Sequence, residues 1–244
     1  MIYVTSDLHG RMDCMKKLLD YVHFQEDESN WLYILGDVID RNGRGGVDIL
    51  KWLLLQPNVQ LILGNHEQMM LSNRWIFEEI SEDNVESIDA KHLSLLSLWE
   101  SNGGGCTMKA MAGESKDMQQ DILAYLDDCP LYESVCVKDR IYVLVHSGLG
   151  NYARGKRMRE YTVDELLWTR PTLETKYDFE KYTVILGHTP TCSYSKEYTN
   201  RMIRVDGWWN IDTGAALPDG RPMLLCLDNG KEYYLDENLS VTER

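Results

Sequence analysis

No C-x-x-C pair, no Walker-type lysine loop and no apolar run long enough to cross a bilayer occurs in this chain of 244 residues. Its six cysteines, Cys14, Cys106, Cys129, Cys136, Cys192 and Cys226, are scattered. Such usage argues against a disulfide framework and for a reducing compartment, so a cytoplasmic location is expected. The opening MIYVTSDLHG meets Asp7 too soon for a signal peptide, and no membrane association is expected. Positive charge is scarce: 25 Lys and Arg face 39 Asp and Glu, for a formal net charge of -14. The long-range field therefore repels nucleic acid and anionic lipid, and an anionic substrate would need local positive charge. Repeats, low-complexity tracts and linkers are missing too, so residues 1–244 are expected to form a single domain.

What is present is an alternation of strand-like and helix-like segments. Apolar runs at IYVTS (2–6), WLYILGD (31–37) and VQLIL (59–63) read as strands. Between and after them, 11–22, 47–55 and 66–80 carry helical periodicity. That order predicts an α/β fold with parallel strands and crossover helices. Residues at about 81–130 read as a helical insertion over one end of the sheet, with helices around Leu93–Trp99 and Met118–Leu126. YESVCV and IYVLVH then predict a hairpin across Lys138-Asp139-Arg140, and a strand-rich C-terminal half follows.

The polar residues fall at telling places on that map. Asp7, His9, Asp37, Asn65, His146 and His188 all sit at or just past the C-terminal ends of expected strands, where open α/β sheets place their ligand sites. Asp7 and His9 are two apart, which in extended chain points both the same way. Taken singly each has a plainer reading: Asp7 or Asp37 as a helix cap, Asn65 as a turn residue, His146 or His188 as a hydrogen-bonded interior histidine. GRGG (43–46) lacks the dinucleotide-binding spacing and reads as a flexible loop. Taken together, two aspartates, an asparagine and three histidines make a mixed O/N set suited to Mn²⁺, Fe or Zn²⁺. Six ligands exceed the needs of one ion with an open position, and they divide around a shared carboxylate into a two-metal site.

DLHG (7–10), GDVIDR (36–41), GNHE (64–67), HSG (146–148) and GH (187–188) resemble the five blocks of the phosphoprotein phosphatase family of calcineurin-like metallophosphoesterases. The compact bacterial and phage serine/threonine phosphatases are most similar, sharing patterns like WESNGGGCT (99–107), LLWTRP (166–171) and IDTGAA (211–216). The resemblance implies a four-layer αββα sandwich of two mixed sheets flanked by helices. It implies that Asp7, His9 and Asp37 hold one divalent ion, and that Asp37, Asn65, His146 and His188 hold a second, most often Mn²⁺. A hydroxide between the ions would attack phosphorus. His66 would be the general acid, Asp40 would orient it and favour its protonated form, and Arg41 with Arg170 would bind phosphate oxygens. The regulatory subunits of eukaryotic relatives are not implied.

A serine/threonine protein phosphatase acting on phosphoproteins or small phosphorylated molecules is therefore the leading expectation. The same scaffold resembles symmetric dinucleoside tetraphosphate (Ap4A-type) hydrolases, whose pattern often lacks the acid standing here as Asp40. Other phosphoanhydride or phosphodiester hydrolases of the superfamily, and a catalytically inactive binding module, are lesser alternatives. The basic loop ARGKRMRE (153–160) is read either as a solvated surface or as a lip that steers anionic substrates.

Overall fold

The computed structural model describes residues 1–78, 88–178 and 181–244. The first half runs β1 (Ile2–Thr5), α1 (Met12–Tyr21), β2 (Trp31–Leu35), α2 (Val47–Leu53), β3 (Val59–Ile62) and α3 (Asn65–Ser72). Next come α4 (Ala90–Ser101), α5 (Gly105–Ala112) and α6 (Lys116–Asp127). The hairpin β4 (Tyr132–Val137) and β5 (Arg140–Val145), helix α7 (Val163–Leu167) and β6 (Tyr182–Leu186) follow. The chain ends with β7 (Ile203–Val205), β8 (Trp208–Asn210), β9 (Leu224–Cys226), β10 (Glu232–Leu235) and β11 (Val241–Glu243).

Among the described residues the strands form two mixed sheets. One has the order β11-β10-β9-β1-β2-β3 and the other β4-β5-β6-β8-β7. β1, β2 and β3 are parallel, as the crossover order predicts, with Tyr3 opposite Leu32 and Ile34 opposite Leu61. β9 joins antiparallel on the free edge of β1, Val4 facing Leu225.

Strand alternation sorts the apolar residues into layers. Tyr3, Leu32, Ile34 and Leu61 face the helices, whereas Val4, Leu35 and Ile62 meet Tyr142, Leu144 and Ile185 of the second sheet. On that sheet's outer face Val143, Val184 and Leu186 pack under Leu149, Tyr161, Leu166 and Tyr177. This is the expected αββα arrangement of two sheets with outer layers, but the second outer layer is thin. α7 is five residues long, and loops do the rest of the covering. Each buried Leu, Ile or Val contributes about 1.5–3 kcal/mol by leaving water, so the layers are held chiefly by this sorting.

Three expectations are corrected. The helix expected over 66–80 ends at Ser72, and a short 3₁₀ turn, Arg74–Phe77, follows. Asn73 makes the break, its side-chain amide donating to the Met69 and Leu95 carbonyls at 2.8 and 3.2 Å. Residues 79–80 of that segment, and 81–87 of the insertion, lie outside the described residues. Within the insertion a third helix, α5 at Gly105–Ala112, stands between the two expected ones. GRGG, read as a flexible loop, is a tight turn in which the Asp40 and Gly45 amides donate to the Gly45 and Asn42 carbonyls at 3.2 and 2.8 Å.

Candidate metal centre and phosphate site

The loops leaving β1, β2, β3, β5 and β6 meet at one end of the two sheets. Past β1 and β2 the chains stay zipped: the Asp7, His9 and Gly10 amides donate to the Gly36, Asp37 and Val38 carbonyls at 3.1, 2.9 and 2.9 Å. Asp7 and His9 point inward together, but not through strand pleating as the sequence spacing suggests. Both are in the left-handed region, at φ 47° and 41°, as are Asp37 and His188 at 52° and 68°. Left-handed conformations cost non-glycine residues energy, and they persist where surrounding contacts over-determine them. Gly36 shows how crowded the junction is, because a Cβ there would lie 2.6 Å from both Gly64 Cα and His146 Nδ1.

Asp7, His9, Asp37, Asn65, His66, His146 and His188 are all buried at this junction. His146 Nδ1 donates to the Leu35 carbonyl at 2.7 Å and His9 Nδ1 to the Ile39 carbonyl at 2.8 Å. These bonds fix the tautomers, so each Nε2 carries a lone pair. His146 Nε2 then faces Asn65 Oδ1 at 2.9 Å, His188 Nδ1 at 3.1 Å and Asp37 Oδ1 at 3.5 Å. Asn65 Oδ1 is also 2.9 Å from His188 Nδ1.

His146 Nε2 and Asn65 Oδ1 both offer lone pairs here, and with His188 Nδ1 as the unprotonated nitrogen the three would converge on a cation. In a tetrahedral site with bonds of roughly 2.0–2.1 Å, ligand atoms stand roughly 3.3 Å apart, and the spacings found, 2.9–3.5 Å, bracket that value. The donor set fits a divalent cation. His188 Nε2 is buried without a hydrogen-bond partner, consistent with the ring being turned to present Nδ1 to the cluster.

A second group adjoins the first through Asp37. His9 Nε2 lies 3.7 Å and His66 Nε2 3.8 Å from Asp37 Oδ2. Among the described residues, the tight His and carboxylate groups are His9-Asp37-His66 and Asp37-His146-His188. Asp7 lines the same cavity, but both its oxygens accept the His188 amide, at 3.1 and 3.0 Å. The lone pair of His66 Nε2 is engaged by the Arg41 guanidinium at 3.2 Å, which argues against a ligand role for His66.

Burial dominates the electrostatics. It lifts Asp7 and Asp37 well above the usual carboxylate range, Asp212 adding to the effect on Asp7 and Glu67 to that on Asp37. Burial holds the imidazoles in their neutral form, with His9 well below its usual value and His146 at about 3. Buried carboxylates held close together in this way are a common mark of a cation site.

His66 and Asp40, which the resemblance pairs, are in direct contact. His66 Nδ1 meets Asp40 Oδ2 at 2.6 Å, both side chains fully enclosed. Burial, with Arg41 adding to it, pulls His66 down to about 3, while burial raises Asp40 to about 7. Arg41 and Arg170 are exposed at the mouth of the cavity. Arg170 is steadied by Nη1 donating to Thr189 Oγ1 at 2.8 Å.

Two buried carboxylates here have no assigned part in the sequence reading. Glu67 accepts the amides of Asp37 (2.8 Å), Val38 (2.9 Å), Ile39 (3.3 Å) and Gly64 (3.0 Å). Asp212 lines the cavity beside Asp7 and accepts the Gly214 amide at 2.9 Å. Both lie in quoted motifs, GNHE and IDTGAA, but nothing local marks them as inward-facing.

The basic loop is partly self-neutralised. Lys156 pairs with Glu165 at 2.9 Å and lies over the Tyr161 ring, and Arg157 pairs with Glu160 at 2.7 Å.

Comparison with known proteins places this geometry in company. A family model described as calcineurin-like phosphoesterase matches residues 1–207. The symmetrical bis(5'-nucleosyl)-tetraphosphatase of Serratia proteamaculans (strain 568) is 37% identical over 71 residues, 29% of this chain and 24% of that protein. The enzyme of the same name from Salmonella paratyphi A is 35% identical over 82 residues, 33% of this chain and 27% of that protein. These matches therefore span about a quarter of the curated relatives' length. A solved structure described as a candidate diadenosine tetraphosphatase aligns over 100% of this chain and 92% of its own, with a TM-score of 0.61. At 18% identity that likeness shows the fold. Among the described residues no helix is long and apolar enough to cross a membrane.

Proposed function

The chain belongs to the calcineurin-like phosphoesterases, matched over residues 1–207, and from that premise we propose that it hydrolyses phosphomonoesters, with phosphoserine and phosphothreonine as the leading substrates. The family implies divalent metals. We assign one to Asp7, His9 and Asp37 and the other to Asp37, Asn65, His146 and His188. Mn²⁺ is the leading candidate, and the ligand set also accepts Fe and Zn²⁺. Bound there, the ions supply activation of the attacking water and neutralisation of phosphate charge.

The protein's own groups supply the rest. Arg41 and Arg170, both exposed at the cavity mouth, grip phosphate oxygens through their planar forks. When Arg41 turns to the phosphate it releases His66 Nε2, which it engages at 3.2 Å in the free site. The incoming anion then favours protonation of that nitrogen, and His66 gives the proton to the leaving oxygen. Asp40 holds the other ring nitrogen throughout.

The single observation carrying the monoester reading is the enclosed 2.6 Å contact between His66 Nδ1 and Asp40. An alkoxide leaves poorly without a proton, so a built general acid suits esters of serine and threonine. A nucleotide leaving from an anhydride has far less need of one. Beside the site a pocket of about 340 Å³, sharing Arg170 and lined by Leu173, Thr189 and Tyr194, has room for the rest of the substrate.

The names of the curated relatives support symmetric dinucleoside tetraphosphate hydrolysis better than they support the monoester reading. The deciding experiment strips the protein of metal, reloads it with Mn²⁺, and compares turnover of phosphopeptides, p-nitrophenyl phosphate, bis-p-nitrophenyl phosphate and diadenosine tetraphosphate. Efficient turnover of phosphopeptides is expected. Turnover confined to the dinucleotide would establish the second reading in its place.

A further inference from the structure

The carboxylate that orients His66 is itself held by the helical insertion, through the first and last residues of the WESNGGGCT stretch, neither of which has a role in the site so far. Trp99, at the end of α4 and fully buried, donates its indole N–H to Asp40 Oδ2 at 2.9 Å. Thr107, inside α5 and equally buried, donates its hydroxyl to Asp40 Oδ1 at 2.5 Å. Thr107 Oγ1 also lies 3.1 Å from the Asp40 amide and 3.0 Å from the Gly45 carbonyl. Both carboxylate oxygens of Asp40 are thus taken, one by Thr107 and one shared between Trp99 and His66. A carboxylate bonded at both oxygens cannot rotate, so the direction of its bond to His66 is fixed.

The sequence between the two residues is built for close approach. Asn102-Gly103-Gly104 reverses the chain between α4 and α5, and a Cβ at Gly104 would lie 2.6 Å from Trp99 Cδ1 and Nε1. The Gly103 carbonyl accepts the Arg41 amide at 3.2 Å, and Asn102 lines the phosphate cavity. The turn therefore presses on Asp40 and Arg41 together. A simple cover over the sheet would need apolar contact only. It would not need two donors aimed at one buried carboxylate.

We propose that Trp99 and Thr107 are positioning residues for proton transfer: they lock Asp40, and through it His66, in the orientation that delivers the proton to the leaving oxygen. The insertion is then part of the acid–base apparatus. The inference rests on the proposed role of His66.

The test compares kcat on a phosphoserine peptide, whose leaving group needs a proton, with kcat on p-nitrophenyl phosphate, whose leaving group needs one little. Thr107→Val keeps the side-chain shape and removes the donor, Thr107→Ser restores it, and Trp99→Phe removes the indole N–H. Thr107→Val and Trp99→Phe are each expected to lower kcat on the peptide about tenfold or more, while changing the nitrophenyl rate by about twofold or less. Thr107→Ser should recover most of the loss, and bound Mn²⁺ should be the same in all variants. Equal losses on both substrates, or Thr107→Ser as impaired as Thr107→Val, overturn the proposal. His66→Asn in parallel separates the two levels. If it shows the substrate-selective loss and the Thr107 and Trp99 variants do not, the positioning role fails while the His66 assignment stands. If His66→Asn itself shows no selectivity, the assignment fails and the inference with it.

Discussion

Glu67 Oε2 accepts the backbone amide of Asp37 at 2.8 Å, so a residue of α3 holds the loop that presents the carboxylate shared by both candidate metal groups. Glu67 is fully buried and takes four amides in all, three from the β2 loop and one from the start of its own helix. Burial raises its carboxyl to about 7 against the pull of those amides. The loop bearing Asp37, Asp40 and Arg41 is thus hung from an enclosed carboxylate.

Glu67→Gln is therefore expected to weaken both stability and metal binding. One side-chain oxygen becomes an amide group that cannot accept, leaving at least one buried N–H unpaired. The cost should be about 1–3 kcal/mol, read as a fall in the denaturation midpoint. The Mn²⁺ affinity of the surviving fold should fall as well. Unchanged affinity would show that the loop keeps its shape without the clamp.

His66→Asn should retain the metals and lose turnover. Its Nε2 is engaged by Arg41, so removing the imidazole should spare the cation groups. Loss of a general acid typically costs about 10²–10⁴ in kcat. Metal content by elemental analysis should stay level while kcat on phosphopeptides drops. A protein that loses Mn²⁺ instead would make His66 a ligand, in line with its place 3.8 Å from Asp37.

Metal uptake should strengthen as pH rises and should release protons. Asp7 and Asp37 sit well above the usual carboxylate range because of burial and neighbouring carboxylates, so with no cation bound they keep their protons to higher pH than ordinary carboxylates do. The imidazoles of His9 and His146 are already neutral there, displaced downward by burial, and compete little. A carboxylate must deprotonate to take a cation, so affinity rises with pH until the folded-state values are passed, and then levels. Calorimetry in two buffers of different ionisation enthalpy measures the protons released. Release that does not diminish as pH rises contradicts this ordering.

Among the described residues, two cations of the basic loop, Arg154 and Arg159, have no internal ion pair. With Lys156 and Arg157 bound to Glu165 and Glu160, any steering falls mainly to Arg154 and Arg159. Changing both to Gln should raise KM for a phosphopeptide several-fold more than for p-nitrophenyl phosphate, and salt should narrow the difference. Equal KM ratios would leave the loop as a solvated surface.

Much of the architecture could be read from the chain. Strands β1, β2 and β3 announce themselves as short apolar runs because each is buried on two faces, and the α/β alternation fixes their parallel order. The site residues were legible because a sheet delivers its strand ends to one place, so polar residues closing several strands must meet. The inward turn of Asp7 and His9 was expected for the wrong reason: left-handed turns aim them, not the strand pleat.

What the sequence determined by itself is the set of strands, their alternation with helices, and the His, Asp and Asn donors placed at their ends, all encoded within a few residues of each position. It took packing to return β9, β10 and β11 to the edge of β1, to bring Glu67 across to the Asp37 loop, and to close Trp99 and Thr107 on Asp40 from about sixty residues away. Those choices depend on which buried surfaces and unpaired polar groups meet once the layers pack, and local periodicity carries no record of that.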